Sequence, residues 1–210
     1  LNPVAFICLK GTLEYPVRFG KRLIPAVESF CEQVHEAAKA ELEEFFPKMP
    51  GEKVYAYLWA RTVKCSSCGL TVPLSPNWWI VRTEKDEDNI AVKVIVPEVG
   101  DKCSFEIVSS PLSRGLNPNK GTVKGGQAEC PRCHTVLSGN EVKQQAQNGT
   151  MGHQLYAVCI KNRSIGKKQA KWHFRSPTRE EEQAVEKAKK IHEEKMPIWE
   201  SRGLIPNEEY

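Results

Sequence analysis

An α+β fold is expected from three features of the sequence. Two Cys-x-x-Cys pairs stand far apart in the chain, β-branched and aromatic runs fall before, between and after them, and amphipathic stretches lie at both ends. Together they predict a zinc ribbon with a small antiparallel β-sheet inserted between the two CxxC knuckles, flanked by amphipathic helices. The expected divisions are a helical segment over 1–50, a zinc-ribbon β domain over 51–175, and a C-terminal helix with a tail over 176–210.

The knuckles read Cys65-Ser66-Ser67-Cys68-Gly69 and Cys130-Pro131-Arg132-Cys133-His134. Each tight turn offers two thiolates, and a tetrahedral Zn²⁺ with metal–sulfur bonds of about 2.3 Å needs four. Cys65, Cys68, Cys130 and Cys133 are therefore the candidate ligands of one structural site. Three other readings use the same residues. Disulfides are one, although nothing else suggests a secreted scaffold. A rubredoxin-like iron centre is another, since it takes the same four ligands. The third is a redox CxxC pair, but neither knuckle follows a strand and opens a convincing helix. His134 stands next to the second knuckle and can replace a cysteine, yet four cysteines already fill the sphere. A closed site of this kind does no chemistry.

The first stretch, Asn2 to Lys10, predicts a short helix with Asn2 as N-cap and Pro3 in its first turn. It is apolar almost all round and so wants a partner. Tyr15-Pro16 is expected to end it, with Gly20-Lys21-Arg22 as loop. From Pro25 to Phe46, Val27, Phe30, Val34, Ala38, Leu42 and Phe45 recur at helical spacing, giving an amphipathic helix. Cys31 and His35 on it read as ordinary helix positions. Lys53–Lys64 predicts a long strand into the first knuckle, and Leu70–Leu74 its return. Trp78–Arg82, Ile90–Val96 and Ser104–Val108 predict the three inserted strands, with an acidic turn over Glu84–Asn89. Pro111–Lys120 is a polar loop. Gly121–Val123 and Gln127–Glu129 lead into the second knuckle, and Glu141–Gln147 suits one or two helical turns. His153–Lys161 and Ala170–Phe174 predict a pair of strands joined by a basic link. Thr178 and Glu181 form a capping box for a last helix with a stripe of Ala184, Val185, Ala188 and Ile191, expected to stop at Met196-Pro197.

Composition narrows the classes. The 210 residues are 40% hydrophobic and 27% charged, as in a soluble globular protein, and a net charge of +4 permits nucleic acid nearby without requiring it. No apolar run approaches the roughly 20 residues of a membrane span. Asn2-Pro3 without early positive charge is wrong for a signal peptide. Eight cysteines, four in metal spacing and four isolated, point to a reducing cytoplasm. Leu1 in place of methionine is expected of a processed chain or an excised fragment. There is no Gly-rich phosphate loop, GxSxG elbow or HExxH, and the five histidines are scattered.

Aromatic and basic residues suggest a second kind of surface. Trp78, Trp79 and Arg82 on one strand, with Lys161, Arg163, Lys167, Lys168 and Lys171 around another, form a candidate stacking and phosphate-binding surface. The competing reading makes alternate aromatics core and the lysines merely solvated.

A series of short stretches runs in order along the whole chain. They are Asn2-Pro3-Val4-Ala5 with Glu14-Tyr15-Pro16, and Ala56 to Val63 ahead of the first knuckle. Pro73-Leu74 with Trp78-Trp79 follows, then Gly121-Thr122-Val123 ahead of Cys130-Pro131-Arg132-Cys133. Gly152-His153-Gln154-Leu155, Pro177-Thr178 and Ile205-Pro206-Asn207-Glu208 complete the order. In these the chain resembles a family of large prokaryotic adenine-specific DNA methylases that carry an N-terminal domain of unknown function. The resemblance implies an S-adenosylmethionine-dependent parent enzyme, in which Asn2 and Pro3 border the cofactor pocket and the acid gripping the ribose stands just before Leu1. The family's glycine-rich loop and Asp-Pro-Pro-Tyr motif, which grips a flipped adenine, are missing from these residues. His134 replaces the glycine usual after such a knuckle. The implied role is a zinc insert between cofactor-binding and catalytic motifs. Its implied partners are the remainder of the methyltransferase and duplex DNA, with no membrane.

The residues thus leave three functions standing: a DNA-engaging zinc insert that is inactive alone, a structural or protein-interaction zinc module, and, weakest, an iron electron carrier.

Overall fold

The computed structural model describes residues 2–47, 49–162 and 171–205. It is a mixed helix and sheet protein with antiparallel sheets, and the chain divides into two compact units: Leu1–Pro47 with Gln183–Tyr210, and Lys48–Glu182.

The first unit is helical. Helix α1 spans Pro3–Leu9, and the Asn2 side chain caps it by accepting from the N–H groups of Val4 (2.9 Å) and Ala5 (3.3 Å). The expected stop at Tyr15-Pro16 does not occur. The coil continues through a π-helical turn over Lys10–Glu14 into α2, Tyr15–Phe19. Proline has no N–H for the α ladder, and its ring crowds the carbonyl four residues back. A π turn widens the coil just ahead of Pro16 and relieves both faults. Gly20, at φ 56°, ends α2. The stretch expected as loop, Gly20–Arg22, is a 3₁₀ turn leading directly into α3, Leu23–Leu42. A second 3₁₀ turn, Glu43–Phe45, follows. No residue of α1, α2 or α3 is buried.

Among the described residues, the second unit holds three antiparallel sheets. In chain order the strands are β1 Val54–Lys64, β2 Thr71–Leu74, β3 Trp79–Val81, β4 Ile90–Ile95, β5 Ser104–Ser109, β6 Val123–Lys124, β7 Gln127–Glu129 and β8 Val136–Leu137. Helix α4, Gly139–Gln147, then precedes β9, Gly152–Asn162, and β10, Lys171–Arg175. Strands order as β10-β9-β1-β2, β3-β4-β5 and β6-β7-β8. The inserted strands therefore form their own sheet, as expected. Its core is Trp78, Val92 and Phe105, with Tyr156 of β9 packed against them. A second core of Val63, Leu70, Val72, Cys103, Ala128 and Leu137 surrounds the buried sulfurs of Cys65 and Cys130.

One feature ties the sheets together, and another ties the edge of the four-stranded sheet to the helix that follows it. The segment entering β6 lies against Ser75-Pro76 so closely that a Cβ on Gly121 would meet the Pro76 carbonyl carbon at 2.3 Å. The Thr122 hydroxyl beside it donates to the Pro73 carbonyl (2.5 Å) and accepts from the Ser75 N–H (3.0 Å). Further on, Arg175 makes paired hydrogen bonds to Glu181 (2.8 and 2.9 Å) and bonds Glu52 at 2.8 Å. Burial pushes the Glu181 carboxyl up in pKa, and the Arg175 and Thr178 hydrogen bonds outweigh it, so the group stays ionised.

Helix α5, Arg179–Ser201, starts at the expected capping box: Glu181 accepts from the Thr178 N–H (2.8 Å), and Thr178 accepts from the Glu181 N–H (3.3 Å). It does not stop at Met196-Pro197. A proline near a helix end removes one hydrogen bond, and the coil here runs on to Ser201. Gly203, at φ 64°, ends it in a Schellman motif, with Leu204 N–H donating to Trp199 and Gly203 N–H to Glu200. No helix among the described residues is long and apolar enough to cross a membrane.

Candidate metal centre

Both knuckles are turns at the ends of hairpins. Lys64 faces Thr71 across β1 and β2, and Glu129 faces Val136 across β7 and β8. Each is closed by the same two backbone bonds. Cys65 N–H donates to Leu70 and Gly69 N–H to Cys65; Cys130 N–H donates to Thr135 and His134 N–H to Cys130. The residue after the second cysteine must turn left-handed in both, and Gly69 (φ 73°) and His134 (φ 59°) do so. His134 steadies its ring on Glu129 (Nδ1 to Oε1, 3.0 Å) and contributes nothing to the sulfur cluster.

The hairpins bring the four expected sulfurs together. All lie within 4.8 Å of one another, and the cross-knuckle pairs Cys65–Cys133 and Cys68–Cys130 are both 3.6 Å apart. A regular tetrahedron with metal–sulfur bonds of about 2.3 Å has edges of about 3.8 Å, so the spacing suits a single ion of zinc's size. The four thiols are free, with no disulfide among them. Cys65 and Cys130 are buried, Cys68 is half-buried and Cys133 is exposed.

Electrostatics favour thiolate at the rim. A hydrogen bond with the Thr135 hydroxyl, together with that residue's N–H, holds the Cys133 thiol down at about 6. The Leu70 N–H and then the Arg132 guanidinium lower Cys68. Burial pushes Cys130 up to about 12. Arg132 locks the arrangement by donating to the carbonyls of Cys68 (2.6 Å) and Gly100 (2.7 Å). Its charge also lies close to the sulfurs, which raises its own pKa further.

Helix α4 braces the first knuckle. Its N-cap is a capping box, Ser138 with Glu141, that sequence reasoning placed only as a loose turn or two. Glu141 reaches Ser66 of the first knuckle at 3.4 Å. Gln145 satisfies both backbone groups of Lys64, accepting from its N–H (2.8 Å) and donating to its carbonyl (2.9 Å). The signal for this was present in Ser138-x-x-Glu141.

The expected nucleic-acid residues fare differently. Trp78 is 5% exposed and packs in the core with Val92 and Phe105, so, against expectation, it offers no free face to a base. Alternation along the strand leaves Trp79 partly exposed, bonded to Asn119 through its indole N–H (2.9 Å), with the exposed Arg82 guanidinium 5.5 Å from its ring. Lys161 is half-buried on β9, in the other sheet. Arg163, Lys167 and Lys168 lie outside the described residues. Asn2 and Pro3 open α1, exposed, with the Asn2 oxygen engaged in capping.

What sequence reasoning missed is an exposed aromatic pair, Tyr55 and Trp172, beside Lys161. The register makes it: Lys161 faces Trp172 across β9 and β10. A bulge in β1 between Val54 and Ala56 turns Tyr55 toward them.

Compared with known protein families, curated proteins and solved structures, the chain matches none.

Proposed function

We propose that this chain is a zinc-ribbon insert of an adenine-specific DNA methyltransferase, one that stabilises the enzyme and engages DNA without catalysing methyl transfer by itself. The observation carrying it is the set of four sulfurs on two identically built knuckles, spaced for one tetrahedral ion. Cys65, Cys68, Cys130 and Cys133 would hold the zinc, leaving no open position for a substrate or water. Zinc's part is to fix two hairpins that the sequence keeps far apart. The methyltransferase assignment rests on the ordered motifs from Asn2-Pro3 to Ile205-Pro206-Asn207-Glu208, and S-adenosylmethionine belongs to the intact enzyme only, with Asn2 and Pro3 beside it.

Elemental analysis of the purified protein should return one zinc per chain. Cys65→Ser or Cys130→Ser should lose the metal and the cooperative unfolding transition. A metal-free, fully folded protein would refute the reading. A coloured protein with iron–thiolate absorption would turn it into an electron carrier. Anisotropy with labelled duplex DNA tests the DNA part, through binding that weakens steeply with salt.

A second reading, a docking module, is favoured by one observation. Val4, Phe6, Ile7, Leu9, Leu13 and Val17 on the first helices are all more than half exposed. Such a surface suits burial against the remainder of the methyltransferase chain. Mixing with that core should then give a negative heat-capacity change.

A further inference from the structure

Tyr55, Lys161 and Trp172 come from three adjacent strands and meet on the surface of the four-stranded sheet. The two rings meet edge to face, with centroids 4.6 Å apart and planes at 68°. Neither is covered: Tyr55 is 63% exposed and Trp172 41%. Large aromatic surface held open to water on a rigid sheet is costly unless something stacks on it. Lys161 places its ammonium 5.0 Å from the Trp172 centroid and 5.3 Å from that of Tyr55. Among the described residues no carboxylate forms an ion pair with it. The arrangement thus pairs sequence-tolerant π faces with a cation on a flexible stem that no carboxylate among the described residues neutralises.

From this geometry we infer that Tyr55, Trp172 and Lys161 form a platform for an unpaired nucleobase of a DNA or RNA strand. The base stacks on the exposed rings, and Lys161 swings from them to the neighbouring phosphate. A fully paired duplex cannot use the platform, because its bases are already stacked inside the helix. Lys161 supplies the charge complementarity, and the bulge at Tyr55 supplies the ring orientation. The inference rests on the DNA-engaging part of the function proposed above and names where a strand is held.

The test uses the zinc-loaded chain with labelled oligo-dT, oligo-rU and a paired duplex in anisotropy titrations. The single strand should bind more tightly than the duplex, and the two single strands separate DNA from RNA as the source. Trp172→Ala and Tyr55→Ala should each weaken single-strand binding roughly tenfold or more. Trp172→Phe should keep most of it. Lys161→Ala should lower the salt slope by about 0.7, one phosphate's share. Zinc content and circular dichroism verify that each variant is folded. Unchanged single-strand affinity in the alanine variants, or a preference for the duplex, overturns the platform and leaves DNA engagement standing. A trimethyl-lysine peptide binding here in place of oligonucleotide also overturns it. Failure to bind any nucleic acid removes the platform and the DNA part of the proposed function together.

Discussion

Gly69 and His134 occupy the same position in two knuckles with the same hydrogen bonds, and both hold a left-handed backbone. An added Cβ at Gly69 would meet nothing within 4 Å, so a substitution there is opposed by conformation alone. Gly69→Ala should therefore cost about 1–2 kcal/mol in a urea melt of the zinc-loaded protein, with metal stoichiometry unchanged. Loss of metal would show that the turn, and not only its backbone angle, depends on glycine. Titration adds a second expectation. Cys130, held up at about 12 by burial, keeps its proton across the neutral range, whereas Cys133 at about 6 has already lost its own. Metal binding must expel the Cys130 proton, so zinc affinity in a chelator competition should rise with pH from 6 to 8. A flat profile would mean that this thiol is not a ligand. The four cysteines were legible because metal spacing is local. The burial of Trp78 beside a half-exposed Trp79 was legible only as alternation, and which member faced inward depended on the sheet that covers it.

At the scale of elements, starts read better than stops. Asn2 and Thr178, expected as caps, sit at helix N-termini and cap them as their chemistry dictates, while Ser138 caps α4 without having been expected to. Pro16 and Pro197, by contrast, look like terminators and are not. A π turn accommodates the first, the second falls near a helix end that can lose one bond, and glycines at 20 and 203 make the real breaks. Helix α4 was underrated because its worth lies in contacts distant along the chain. Gln145 bonds both backbone groups of Lys64, at the point where β1 enters the first knuckle. Gln145→Ala leaves two peptide groups to water and should cost roughly 1–2 kcal/mol. The same change should speed zinc release to a chelator by several fold, since the first knuckle loses its brace. Unaltered release would place the bracing elsewhere.

For the whole molecule, the pairing of β9 along nearly all of β1 joins residues on either side of both knuckles, and no local pattern announces such a partner. The sheet order β10-β9-β1-β2 was out of reach for that reason, while the separate sheet of inserted strands was not. The two compact units also differ in what holds them. Lys48–Glu182 has two buried apolar clusters and the sulfur site. Helices α1 to α3 have no buried residue, and Phe6, Ile24, Val27, Phe30 and Val34 are each at least half exposed. Helix stability in water comes mainly from packing an apolar face, and short isolated helices are marginal. Hydrogen exchange should therefore separate the units. Amides of Phe6 to Leu42 should exchange within about a hundredfold of the unprotected rate, while those of Val63, Leu155 and Ala157 should be slowed to the limit of global unfolding. Adding the remainder of the proposed methyltransferase should bring protection to the helices and leave the strands as they were. Helical amides as slow as those of β1 in the chain alone would mean that this surface needs no partner, and the docking role would fall while the metal centre stood.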